Sequence, residues 1–193
     1  PGFCSVAGNA ADNAVLEKLF AIAKDRFGRE ADIVVANAGR GLGGSVKDAD
    51  LTQFEDVLKI NVVGAAALIQ KAAQKMVDIQ KKAFPQSAAD IVIIGSIAGR
   101  NVSPFSAVYS ASKFAVHALA ESLRREVGPS GVRVSLVEPG LVLSGFQAVA
   151  GYSDEMVNAL QEKFGPLPLS TDIANAIYQI VTQPPHMSGL PLR

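Results

Sequence analysis

A doubly wound α/β sheet of mostly parallel strands is the fold this sequence predicts, on three observations. Three short apolar runs rich in β-branched residues, "DIVVANAG" from Asp32, "DIVIIGS" from Asp90 and "VRVSLVEPG" from Val132, lack a clean alternation of apolar and polar positions. Such runs suit strands covered on both faces. Segments with helical spacing, each longer than about ten residues, separate them, as parallel neighbours require. Each run closes on small or turn-forming residues: Asn37-Ala38-Gly39, Gly95-Ser96 and Pro139-Gly140. In doubly wound sheets the ligand lies beyond the carboxyl ends of the strands, so these three groups mark the expected crevice.

The elements follow in order. Leu16, Leu19, Phe20, Ala23 and Phe27 recur at helical spacing between Asp12, a plausible N-cap, and Gly28, a C-terminal cap. After the first buried strand, Thr52 and Glu55 form a T-x-x-E capping box that opens a long helix through roughly Lys81. The second buried strand precedes a helix from about Ser106 to Val127, closed by "GPSG", and the third strand ends in Pro-Gly. Further helices fit Ser153 to Phe164 and Thr171 to Thr182, and Pro184-Pro185 stops the pattern.

At 193 residues and 49% hydrophobic, the chain can bury one full core, and residues 1–193 read as one domain. Eighteen basic residues balance 18 acidic ones, without a basic run, which argues against nucleic acid or an anionic membrane as partner. The single cysteine, Cys4, has neither a disulfide partner nor the spaced Cys/His set of a zinc site. A reducing, cytoplasmic setting and no metal are expected. His117 and His186 read as structural or solvent-facing. No apolar run reaches the roughly 20 residues of a membrane span, and no signal peptide opens the chain. The opening "PGFCSV" has no methionine and runs at once into core-like sequence, as in a chain joined partway through.

The chemistry centres on "VYSASK", where Tyr109 and Lys113 stand one helical turn apart on one face. Alone, the pair is equally an exposed helix pair; its company decides. Ser96 ends the second strand, and Asn61 sits in mid-helix with Gly64 a turn later, a pairing unfavourable to the helix that could simply cap a kink. A phenol can exchange a proton with a substrate oxygen if a nearby ammonium lowers its pKa from about 10. A serine hydroxyl can hold the substrate oxygen beside that phenol.

In order and spacing, "NAG", Asn61, "GSIAG", "YSASK" and "PGLVLS" resemble the short-chain dehydrogenase/reductase family, from about Val6 to Pro185. The resemblance implies a Rossmann-like fold, NAD or NADP as cofactor with a lean to NADP, and a homodimer or homotetramer built through the two long helices. It makes Asn61, Ser96, Tyr109 and Lys113 catalytic, with Lys113 also on the nicotinamide ribose and Asn61 holding a water that links Lys113 to solvent. Asn37, Ala38 and Gly39 would lie along the cofactor, and Pro139, Gly140, Val142 and Ser144 would hold its carboxamide, Ser144 replacing the usual threonine. Asn9 stands where the family usually has Asp at the adenine edge, and is as readily a turn residue. Phe105, Phe146 and Tyr152 fall on the expected substrate side, where Ser96 and Tyr109 also contact substrate.

The glycine-rich turn that receives the pyrophosphate is absent from the sequence, so an N-terminal β-α-β unit of roughly fifty residues is expected ahead of Pro1. The C-terminal part resembles the branch containing serine 3-dehydrogenase and 3-hydroxy acid dehydrogenases, although "MSGLPLR" does not supply the final strand expected there. A small secondary alcohol or hydroxy acid is the implied substrate. Two alternatives stay open: a 3-oxoacyl-carrier-protein reductase, with Arg100, Arg124 and Arg125 as candidates for the carrier's acidic helix, and a truncated, non-catalytic homologue.

Overall fold

The computed structural model describes residues 2–187. Three parallel strands, β1 (Ile33–Ala36), β2 (Ala89–Ile94) and β3 (Val132–Val137), lie side by side in that order. The register aligns Val34, Ile91 and Val134 on one face and Ile33, Asp90 and Arg133 on the other. The helices are α1 (Asn13–Phe27), α2 (Leu51–Leu58), α3 (Ala65–Ala83), α4 (Ala107–Val127), α5 (Phe146–Val149), α6 (Asp154–Phe164) and α7 (Ser170–Val181). The chain thus alternates strand and helix, and it packs helices on both faces of the sheet.

On the first face, Ile69, Ala72 and Met76 of α3 and Val116, Ala120 and Leu123 of α4 pack with Val34, Ile91 and Val134. Each large apolar side chain buried there contributes about 1.5–3 kcal/mol relative to exposure. On the second face Ile180 of α7 packs on Val92 and Val137. That face also holds a buried ion pair: the Arg133 guanidinium donates to both oxygens of Asp90, at 2.8 and 2.7 Å. The same guanidinium donates to the carbonyls of Val181, Gln183 and Pro184, so it binds the end of α7 and the chain beyond it to the sheet. Pro184 and Pro185 stop that helix as the sequence predicts.

Several expectations need correction. Within the described residues β1 is an outer strand of the three, and Ile33 and Val35 on its second face are 47% and 38% exposed; α7 covers that face only over β2 and β3. The cap of α2 is Asp50, whose carboxylate accepts the Thr52 N–H at 2.9 Å; Thr52 lies inside the helix and opens no capping box. The long helix is interrupted by a π-helical stretch, Lys59–Gly64, which holds both Asn61 and Gly64. By contrast, Asp12 caps α1 through the Ala14 N–H, Gly28 closes it at φ 70°, and Ser153 caps α6. Most of "MSGLPLR", in which no final strand is expected, lies outside the described residues.

Candidate active site

The carboxyl ends of the strands meet the N-terminal half of α4. Ser96 follows β2 by two residues and is buried; its backbone is extended, and its hydroxyl oxygen accepts the Ala98 N–H at 3.1 Å. The hydroxyl proton is left to donate elsewhere. Tyr109 stands in the first turn of α4, next to Ser96. Burial pushes its phenol above the ordinary value, and the Ser96 hydroxyl opposes that shift.

Lys113, one turn on, is only 8% exposed. Its ammonium donates to the Ile94 carbonyl at 2.7 Å and lies 5.7 Å from the Tyr109 ring centroid. Burial pulls its pKa down to about 8. The expected lowering of the tyrosine pKa does not appear, because desolvation of the phenol dominates. With one of three N–H donors used, the ammonium retains two for a ligand.

Asn61 is buried in the π-helical stretch and is fully engaged. Its amide pairs with both backbone groups of Arg40, accepting the N–H and donating to the carbonyl, each at 2.9 Å. The same amide nitrogen donates to the Ser112 hydroxyl at 3.0 Å, and Ser112 donates to the Tyr109 carbonyl at 2.7 Å. Asn61 therefore connects the loop after β1 to the backbone of α4, and it does not touch Lys113 directly. A Cβ on Gly39 would stand 3.2 Å from the Asn61 oxygen, so glycine permits this close approach.

Asn37, Ala38 and Gly39 are exposed at the end of β1. Asn37 and Ala38 line a cleft of about 220 Å³ with Val6, Gly8, Val15 and Leu68. Asn9 sits in the turn before α1, where its side chain accepts the Ala11 N–H at 2.9 Å, the geometry of a turn residue. After β3, Pro139 and Gly140 lead to Val142 and Ser144. Gln147 holds this loop by donating to the Val142 carbonyl at 2.6 Å and accepting the Ser144 N–H at 3.2 Å. The Ser144 hydroxyl accepts the Phe146 N–H, so its proton is free. The Phe146 ring packs on Tyr109 with centroids 5.5 Å apart, while Phe105 is 76% exposed. Tyr152 lies close enough to influence the Tyr109 phenol.

Ser112, Gln147 and Glu138 escaped the sequence reading. For Glu138 a signal existed: a carboxylate inside an apolar strand run demands a buried partner. Of the two readings of His117, structural or solvent-facing, the structure takes the first, since the ring packs against Gly95 and Gly99. Among the described residues no group of His, Cys, Asp and Glu could hold a metal, and no helix is long and apolar enough to cross a membrane.

The residues present fit the nicotinamide-ribose half of a dinucleotide: a hydroxyl, a phenol and an ammonium with spare donors converge at the strand ends, flanked by the exposed backbone of 37–39 and 140. An uncharacterized oxidoreductase of Staphylococcus aureus strain MW2 is 31% identical over 173 residues, covering 90% of this chain and 67% of that protein. Another, from Staphylococcus saprophyticus, is 32% identical over 165 residues, covering 86% and 63%. The closed form of serine dehydrogenase complexed with NADP+ superposes with a TM-score of 0.78 at 25% identity, covering 93% of this chain and 70% of that one. NAD+-bound xylitol dehydrogenase has the same fold, with a TM-score of 0.77 at 24% identity and coverage of 95% and 75%. The short chain dehydrogenase family profile matches residues 2–155, and the chain belongs to that family of NAD(P)-dependent oxidoreductases.

Proposed function

We propose that this protein interconverts a small secondary alcohol or hydroxy acid and its ketone, with Tyr109 as the acid/base. The observation that carries this reading is the convergence of three groups at the end of β2: Lys113 is anchored on Ile94, Ser96 follows two residues later, and Tyr109 lies over both on one face of α4. NAD or NADP supplies the hydride acceptor or donor. Tyr109 gives the proton to the substrate oxygen in reduction and takes it in oxidation. The Ser96 hydroxyl, its acceptor side occupied by Ala98, donates to that oxygen and orients it. Lys113 lends positive charge beside the phenol and donates to the ribose, while Asn61 holds the backbone beneath Tyr109 through Ser112.

Asn37, Ala38, Gly39, Pro139, Gly140, Val142 and Ser144 would line the cofactor, and Phe146 the substrate. The lean to NADP and a hydroxy acid draws support from the serine dehydrogenase likeness. A carrier-protein substrate is less well served, because Arg100 is bound to Glu138 and both Arg124 and Arg125 are bound to Glu121. A homomeric interface through α3 and α4 fits Ile79 and Phe114, which are 51% and 43% exposed on those helices. A cytoplasmic setting fits the single free cysteine.

The test is turnover by the full-length natural protein. Nucleotide reduction is followed with L-serine, hydroxybutyrate and isopropanol, and nucleotide oxidation with acetoacetyl carrier protein. Turnover of one of the free small molecules is expected. Activity confined to the carrier-bound substrate would refute the substrate class.

A further inference from the structure

Tyr109, Lys113 and His117 succeed one another at four-residue steps, so α4 presents all three on one face. The first two have roles in the proposed reaction. The third is turned toward the loop that carries Ser96. An added Cβ on Gly95 would stand 2.4 Å from the His117 Nε2, and one on Gly99 would stand 2.4 Å from its Cε1. Both glycines are therefore the room in which this imidazole sits.

Its two nitrogens are both engaged. Nε2 accepts the backbone N–H of Ser96 at 3.3 Å, and Nδ1 lies 3.2 Å from a carboxylate oxygen of Glu138. A neutral imidazole has one donor and one acceptor, so acceptance at Nε2 puts the ring proton on Nδ1, where it donates to Glu138. Burial favours the neutral ring, Arg100 and Lys113 act in the same sense, and Glu138 opposes them. The Glu138 side chain, 2% exposed, takes the Arg100 Nε on both oxygens, at 2.7 and 2.8 Å. Meanwhile the residues flanking Ser96 are tied to β3 and its continuation, Gly95 N–H to the Val137 carbonyl at 2.8 Å and Ile97 N–H to the Pro139 carbonyl at 3.1 Å. The Ser96 N–H is the one that turns to the imidazole.

We propose that Arg100, Glu138 and His117 form a positioning relay for Ser96, in which the carboxylate fixes the imidazole tautomer and the imidazole fixes the peptide that aims the serine hydroxyl at the substrate oxygen. This rests on the reading of Ser96 as the donor to that oxygen. None of the three touches substrate or cofactor; their effect on the reaction passes through Ser96. Replacing the imidazole leaves the peptide N–H without an acceptor and frees the loop to turn. The hydroxyl then spends less of its time in the productive direction.

The test is a double-mutant cycle in the full-length protein, with NADP+ and whichever of L-serine, hydroxybutyrate or isopropanol turns over fastest. His117→Leu should lower kcat by at least about tenfold, the scale for a displaced reacting group, and change KM for NADP+ by less than about twofold. His117→Gln, which keeps an acceptor, should recover most of that loss. In a Ser96→Ala background, His117→Leu should change kcat by less than about twofold, because nothing remains to be aimed. The same fold-loss in both backgrounds would overturn the relay and leave the Ser96 reading intact. Wild-type turnover in Ser96→Ala would overturn both. Independently of turnover or of any variant's folding, the imidazole 15N shifts of the wild-type protein should report the Nδ1–H tautomer for His117, and an Nε2–H tautomer would overturn the relay.

Discussion

The Asn61 amide nitrogen lies 3.0 Å from the Ser112 hydroxyl, joining a π-helical turn to α4 across 51 residues of sequence. Ser112 passes that contact to the Tyr109 carbonyl, and Asn61 also pairs with both backbone groups of Arg40. One amide thus sets the loop after β1 against the helix that carries Tyr109 and Lys113. Both side chains are almost wholly buried, so neither can turn to water if the other is lost.

Removal of either partner therefore has unequal consequences. Asn61→Leu strands the N–H and C=O of Arg40 and removes the bond the Ser112 hydroxyl accepts, and should destabilise the fold by about 2–4 kcal/mol. Ser112→Ala removes one partner of an amide that keeps the other two, and should cost about 1 kcal/mol. Urea unfolding of the two variants checks the order, and a larger loss in Ser112→Ala would show that Asn61 is not the hub.

The Asp90 and Arg133 side chains, 4% and 7% exposed, form a pair whose value lies in mutual satisfaction. Burial pushes the Asp90 carboxyl up, and Arg133 pulls it back. Asp90→Ala leaves a buried guanidinium uncompensated and should destabilise by about 3–5 kcal/mol. Arg124→Ala, at an exposed pair with Glu121, should change stability by less than about 1 kcal/mol. Chemical denaturation should separate the two variants clearly; similar losses would contradict this account of the second sheet face.

Lys113 supplies a pH dependence with a definite sign. Its folded pKa of about 8 lies below the ordinary 10.5, so below about pH 8 both folded and unfolded chains carry the charge and the folded chain bears the full desolvation penalty. As pH rises from about 8 toward 10.5 the folded lysine is neutral while the unfolded one stays charged, and that penalty is progressively removed. Stability relative to Lys113→Met should therefore shift in favour of the wild type by on the order of 2 kcal/mol across that window. Denaturant midpoints measured at several pH values check it. A flat difference, or a shift in the other direction, would mean that the ammonium is not desolvated.

Local patterns made the strands, most helix ends and the Ser96, Tyr109 and Lys113 set legible, because each depends on neighbouring residues or on one helical turn. The Asp12 and Gly28 caps of α1 were readable for the same reason. Where two caps competed, Asp50 prevailed over Thr52, since its carboxylate already satisfies the Thr52 N–H. Asn61's partners, and the imidazole of His117 beneath Ser96, lie 21 or 51 residues away in sequence. Their pairing becomes visible only when α4 is laid across the strand ends.

The most direct test of the central claim is the turnover of Tyr109→Phe in the full-length protein, measured beside its affinity for NADPH. The phenol oxygen is the only heavy atom removed, so packing on Phe146 is kept. Nicotinamide fluorescence, excited at wavelengths where protein side chains do not absorb, gives the affinity. A fall in kcat of at least about a hundredfold with affinity changed by less than about threefold is the predicted result. Near-normal turnover in that variant would contradict the account, because the proton would then have to travel by another group.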